Sequence, residues 1–147
     1  MTSYEAEQSS GTNSLDITGD VVGGIILAVL GLLHLFLIQL GGGIGIVVLF
    51  FVWPLIAGAI GAYYDLTQRP DRSRALTITG AVSGVFGAVA VGIIVFVAGV
   101  VSIWSGFITD TFGSGLMATT LGLTFLLIIT WTVSAFVAGY IVREAAA

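Results

Sequence analysis

The chain has 147 residues, of which 57% are hydrophobic and only 8% charged, with a net charge of −4. A soluble domain carries about 25% charged residues, so polar side chains could not cover a water-facing surface here, and lipid is the solvent the composition calls for. No Cys is present, which excludes disulfides and thiolate chemistry; a single His and no Lys remove multi-His zinc sites, Schiff bases and Walker-type phosphate loops, and the acidic balance argues against nucleic acid.

Residues 1–19 are polar, rich in Ser and Thr, and carry Glu5, Glu7 and Asp16. They lack the basic n-region of a signal peptide and hold too little apolar surface to offset the entropy of ordering. They read as a disordered tail, either a solvated extension or a docking segment for a partner. The rest, 20–144, reads as one helical membrane domain.

Val21 to Leu40 is an uncharged first span. At about 1.5 Å per residue it crosses roughly 30 Å, the thickness of the hydrocarbon core. Gly41, Gly42 and Gly43 are expected to make a tight turn. Ile44 to Tyr64 is a second span, followed by a connector from Asp65 to Arg74. Ala75 to Trp104 is a third, longer than the core requires and therefore expected to tilt. Ser105 to Gly115 reads as a polar loop, and Leu116 to Val142 as the fourth span. The expected architecture is all-α, a bundle of four transmembrane helices. The lack of alternating polarity excludes a membrane barrel.

Three of the four basic residues, Arg69, Arg72 and Arg74, sit in the connector after span two. Positive charge near span ends prefers the cytoplasmic side, so this connector belongs inside. Four spans then bring both termini inside too, and Arg143, at the end of span four, independently falls there. Tyr63, Tyr64 and Tyr140 would mark the inner interface and Trp104 the outer one. Pro70 and Asp71 suit the start of span three. The connector is thus first a topological anchor; a lipid-headgroup or partner site is the sharper alternative, but the usual polybasic signal uses roughly four to eight basic residues.

The two halves echo each other. Ile17-Thr-Gly-Asp-Val-Val-Gly-Gly opens span one and Ile78-Thr-Gly-Ala-Val-Ser-Gly-Val opens span three. Trp53, Ala57 and Gly61 of span two are matched by Trp131, Ala135 and Gly139 of span four. A duplicated hairpin, its copies related by an axis along the membrane normal, and a chance likeness of glycine-rich helices both fit.

Lipid offers helices little hydrophobic reason to associate, so close backbone packing through small residues must do it. With 21 Gly in the chain, the helix-packing positions are expected at Gly23, Gly24, Gly31, Gly58, Gly61, Gly80, Gly84, Gly87 and Gly139. On span three Gly80, Gly84, Gly87, Val91, Ala98 and Ser102 share one stripe. Pore lining is the alternative use of such residues.

His34 is the only ionisable side chain well inside an expected span, about 9 Å from the outer end at Leu40, and is a functional candidate for that reason. The bland alternative is a neutral imidazole bonded to a carbonyl or a Thr. Span four carries Thr120, Thr124, Trp131 and Ser134 along one stripe, whose hydroxyls can bond within or between helices. If spans one and four pack together, this stripe is expected to partner His34, with Trp131 stacked on its ring. Pro54 removes a backbone donor in span two and should kink it.

From Trp53-Pro-Leu-Ile-Ala-Gly-Ala-Ile-Gly-Ala-Tyr-Tyr64, through the charged connector, to Thr79-Gly-Ala-Val-Ser-Gly84, the chain resembles small four-span membrane proteins of halophilic archaea, a family defined as a domain of unknown function. Val137-Ala-Gly-Tyr140 repeats the pattern, and the acidic balance with Arg and no Lys is similar to that of salt-adapted proteins. Tyr63-Tyr64-Asp65 departs from the single Tyr of the commoner pattern. The resemblance implies an archaeal plasma membrane and no known activity.

These readings point to a multi-pass plasma-membrane protein without cofactor, metal or catalytic centre. Its expected role is a structural or accessory packing module, with the bilayer and either a second copy or another membrane protein as partners. The alternative is a small channel or transporter using His34 and the span-four hydroxyls.

Overall fold

In hydrocarbon every backbone polar group must be satisfied within the protein, and helices do this segment by segment. The computed structural model describes residues 18–68, 75–104 and 113–147. The described residues form four helices, α1 (Gly19–Val47), α2 (Trp53–Gln68), α3 (Leu76–Trp104) and α4 (Gly113–Ala146), with a π-helical segment, Val48–Val52, between α1 and α2. Among the described residues there is no strand. Of the described residues, three stretches, Gly43–Gln68, Leu76–Val101 and Ala118–Ala146, are long and apolar enough to cross a membrane, and Gly19–Leu35 is a shorter apolar helix.

Three boundaries differ from the sequence reading. The backbone at Gly41–Gly43, expected as a tight turn, keeps helical hydrogen bonding as part of α1. The chain nevertheless doubles back between His34 and Trp53. A straight helix would hold those residues roughly 28 Å apart, yet the two side chains share a hydrogen bond of 3.0 Å. Secondly, α2 runs on to Gln68, so Asp65 to Gln68 are helix rather than connector. Thirdly, α4 begins at Gly113 and ends at Ala146, taking in part of the expected outer loop and the residues past Val142. The tail through residue 17 and the three connector arginines, Arg69, Arg72 and Arg74, lie outside the described residues.

The helices pack around Leu27, Leu127, Val91 and Trp131, all fully buried. α1 lies against α2 and α3, and α4 against α3 and α2, with α1 and α4 across the bundle from each other. Ser83 reaches Asp20, and Gly87 faces Leu27, so α1 and α3 run the same way. Trp131 reaches Leu49 and Gly58 faces Ala135, so α2 and α4 do likewise. Like helices are therefore neighbours.

Small residues set the spacing. All nine of the expected packing glycines are buried. A Cβ on Gly84 would stand 2.5 Å from the Trp131 carbonyl oxygen, and one on Gly58 would stand 2.8 Å from the Ala135 Cα. Gly80 faces the Ala135 carbonyl, Gly139 faces the Leu76 carbonyl, and Gly61 and Gly19 face each other. Gly23 meets Ser83, Gly24 meets Phe86, and Gly31 lies under the Trp131 ring. Such close approach maximises dispersion contact, the association force available in lipid. Large apolar side chains such as Ile25, Val29, Phe125 and Val133 point outward, where lipid tails would meet them.

Candidate functional site

Two sets of polar groups lie between the helices, one at the end where α1 and α3 begin and one where the π segment meets the start of α2.

The first is centred on Asp65, which is only 6% exposed. Its Oδ1 accepts the backbone N–H of Gly19 at 2.6 Å, and its Oδ2 accepts the Thr79 hydroxyl at 2.7 Å. A helix leaves its first N–H groups without internal partners. Thr18, at the N-cap of α1, makes no side-chain cap bond. Asp65 supplies that cap from another helix, and its negative charge suits the positive end of the α1 dipole. The Ser83 hydroxyl lies 2.8 Å from the Thr79 carbonyl and 3.2 Å from that of Asp20, so it links α3 to α1. Thr18, Asp20, Asp65 and Thr79 line a cleft of about 180 Å³.

Asp65 was legible as more than a connector residue. It continues the four-residue spacing of Ala57 and Gly61 onto the buried face of α2. Thr79, too, is part of the repeated Ile-Thr-Gly opening.

The second set begins with Pro54. In an α-helix its missing N–H would serve the carbonyl of Phe50, and in a π register that of Leu49. The local register is π, since the Trp53 N–H bonds back to the Val48 carbonyl. Both deprived carbonyls find donors on α4. The Trp131 indole N–H donates to Leu49 at 2.9 Å, and the Ser134 hydroxyl donates to Phe50 at 3.5 Å. Trp131 is fully buried and Ser134 nearly so.

His34 belongs to this level but has a different partner from the one expected. The Trp53 indole N–H donates to its Nδ1 at 3.0 Å, and the rings meet edge to face at 6.2 Å and 71°. Trp131, expected to stack on this imidazole, covers Gly31 instead. The His34 Nε2 is buried and has no hydrogen-bond partner among the described residues.

The span-four stripe therefore divides. Trp131 and Ser134 serve the π segment that precedes α2. Thr124 donates to the Thr120 carbonyl of its own helix at 2.7 Å and presses against Gly92 of α3. Thr120 and Thr124 border a groove of about 260 Å³ between α3 and α4, otherwise lined by apolar groups such as Phe96 and Leu121. Neither Thr is brought to His34. Arg143, the one described residue of the four arginines expected to orient the chain, is exposed, 3.5 Å from Glu144, with its guanidinium 5.7 Å from the Tyr140 ring centre. No group of three or more His, Cys, Asp or Glu is placed to hold a metal ion among the described residues.

The chain matches no protein-family model, and no curated protein or solved structure is similar to it.

Proposed function

We propose that this chain is an integral protein of the plasma membrane that crosses the bilayer four times, keeps both termini in the cytoplasm, and acts as a structural or accessory module without catalysis of its own. The observation that carries this reading is the use made of its polar groups. Asp65, Trp131, Ser134 and Thr79 are spent on helix ends, freed carbonyls and one another. The centre between the helices is filled by Trp131 and its apolar neighbours. A protein built this way holds a shape in lipid and offers that shape to a partner.

The membrane frame rests on the apolar helices and on the connector arginines, whose side chains favour the cytoplasmic face. The duplicated hairpin belongs to the same reading. Its support is that the matched openings at Gly19 and Gly80 each pack against the matched ends of α2 and α4, at Gly61 and Gly139. So does membership of the small four-span proteins of halophilic archaea, supported by the glycine-tyrosine span ends and the acidic, lysine-free composition.

A partner helix, or a second copy, would find room on α4, where Ala118 and Gly122 are exposed and a Cβ on Gly122 meets nothing within 4 Å. The test is purification of the full chain in mild detergent from its native membrane. A co-purifying membrane protein or a homo-oligomer, lost with Gly122→Leu, is the expected result. A monomer with no partner would overturn the accessory role.

A transport role is the second reading, favoured by the π segment beside His34, since such local departures from α geometry recur at functional sites. It requires that the purified chain support solute flux in proteoliposomes and that His34→Ala change it.

A further inference from the structure

The groove between α3 and α4 holds a polar group that the bundle leaves unused. A hydroxyl in a membrane helix ordinarily turns back to the carbonyl four residues earlier. Thr124 and Thr130 do so, at 2.7 and 2.8 Å. Thr120 is only 5% exposed, yet its hydroxyl has no hydrogen-bond partner among the described residues. Unlike the Thr132 hydroxyl, which is sealed in, it keeps accessible surface, and the groove is the space that borders it. A donor left alone in hydrocarbon is costly, so the occupant of the groove is the natural source of its acceptor. The groove also has a direction. α3 and α4 are antiparallel and drawn together at one end by Gly80, Gly84 and Gly139. Toward the other end, Thr120 lies at the level of Phe96, Thr124 meets Gly92, and Val89 lies deeper. From Phe96 to Val89 the wall runs about 10 Å. Thr120 lies two residues into the apolar stretch Ala118–Ala146, near the boundary where lipid chains meet their headgroups. A bound water needs about two to four polar partners, and the walls beyond the two Thr are apolar.

We propose that this groove binds one glycerolipid from the leaflet that borders the end of α3 and the start of α4. One hydrocarbon chain lies along the groove past Gly92 toward Val89. The oxygen that joins this chain to glycerol, as ester or ether, accepts the Thr120 hydroxyl. Site and ligand match in polarity, with oxygen toward the membrane surface and hydrocarbon toward its centre. Gly122 lies about 200° around α4 from Thr120, so a helix docked there leaves the lipid in place. The inference rests on the reading of the chain as a membrane protein and not on the accessory role.

Native mass spectrometry of the full chain, taken from phosphatidylcholine bilayers into mild detergent, counts the lipids that stay bound. The expected result is one phosphatidylcholine per chain. Thr120→Val keeps the shape and removes the donor, and should weaken retention by about two- to tenfold, the contribution of one hydrogen bond. Val89→Trp, at an exposed position in the groove wall, should block the chain and abolish retention. Val133→Trp, exposed elsewhere on α4, should leave it unchanged.

No retained lipid on the unaltered chain overturns the proposal, and so does equal retention in Val89→Trp or in Thr120→Val. If a variant does not fold, solid-state NMR of the unaltered chain in phosphatidylcholine bilayers decides. The Thr120 hydroxyl proton is expected close to a lipid ester carbonyl carbon, and finding it bonded to a protein carbonyl instead overturns the site. A chain that needs detergent but retains no lipid defeats the site alone, whereas a chain soluble without detergent defeats the membrane reading as well.

Discussion

Trp131 on α4 donates its indole N–H to the carbonyl of Leu49, five residues before Pro54, at a distance of 2.9 Å. The pairing ties two features 82 positions apart in sequence. A proline opens the backbone of one helix, and a tryptophan from another closes it. The π register at Val48–Val52 brings the Leu49 carbonyl into the gap that Pro54 leaves.

That relationship predicts a double-mutant cycle. Trp131→Phe keeps most of the ring and removes the donor, so it should destabilise the folded protein by about 1–3 kcal/mol, the cost of a buried acceptor left alone. Pro54→Ala restores an N–H in the register that serves Leu49. In that background the cost of Trp131→Phe should fall by more than half. Denaturation in detergent micelles measures both. Equal costs in the two backgrounds would show that the two residues act separately.

Asp65 makes a second prediction. Asp65→Ala leaves the Gly19 N–H and the Thr79 hydroxyl without their acceptor inside the protein, and should cost roughly 2–4 kcal/mol. Asp65→Asn retains one acceptor oxygen and should cost less. Hydrogen exchange at Gly19 and at the first turn of α1 should quicken in the Ala variant. Unchanged exchange there would mean that the cap from Asp65 does not hold the helix start.

Glycines of two kinds should respond oppositely to alanine. Gly84→Ala forces a methyl group against the Trp131 carbonyl, and overpacking of that kind costs about 1–3 kcal/mol. Gly122→Ala meets open space and should stabilise by about 0.5–1 kcal/mol through helix propensity. Thermal unfolding of the pair compares them in one assay, and similar shifts would contradict the packing of α3 on α4.

The absence of Cys lets topology be read from single introduced thiols. Thr67→Cys, near the arginine connector, should react with a membrane-impermeant maleimide only after the cells are opened. Gly115→Cys, which is exposed with open space around it, should react on intact cells. The reverse pattern would place the arginines outside.

Much of this protein is written in its composition and periodicity. Runs of apolar residues about 20 long, an all-helical fold and glycines as contact points all follow from one-dimensional pattern, because the hydrocarbon thickness and the helical rise are constants. Which glycine faces which backbone does not. Gly84 and Trp131 are far apart in sequence, and only the antiparallel placing of α3 and α4 brings them together.

The polar sites divide in the same way. His34, Trp131, Ser134 and Pro54 could each be singled out as unusual within an apolar run, yet their partners could not. The sequence reading sent Trp131 to His34 and left Asp65 in a connector. In the structure Trp131 serves Leu49, Trp53 serves His34, and Asp65 caps α1. A buried donor or acceptor pairs with whatever group the helix arrangement brings within about 3 Å. That arrangement, like helix beside like helix and α1 across from α4, is set by the summed close contacts of four helices at once. The identity of each polar or small residue is local information; its partner is a property of the assembled bundle.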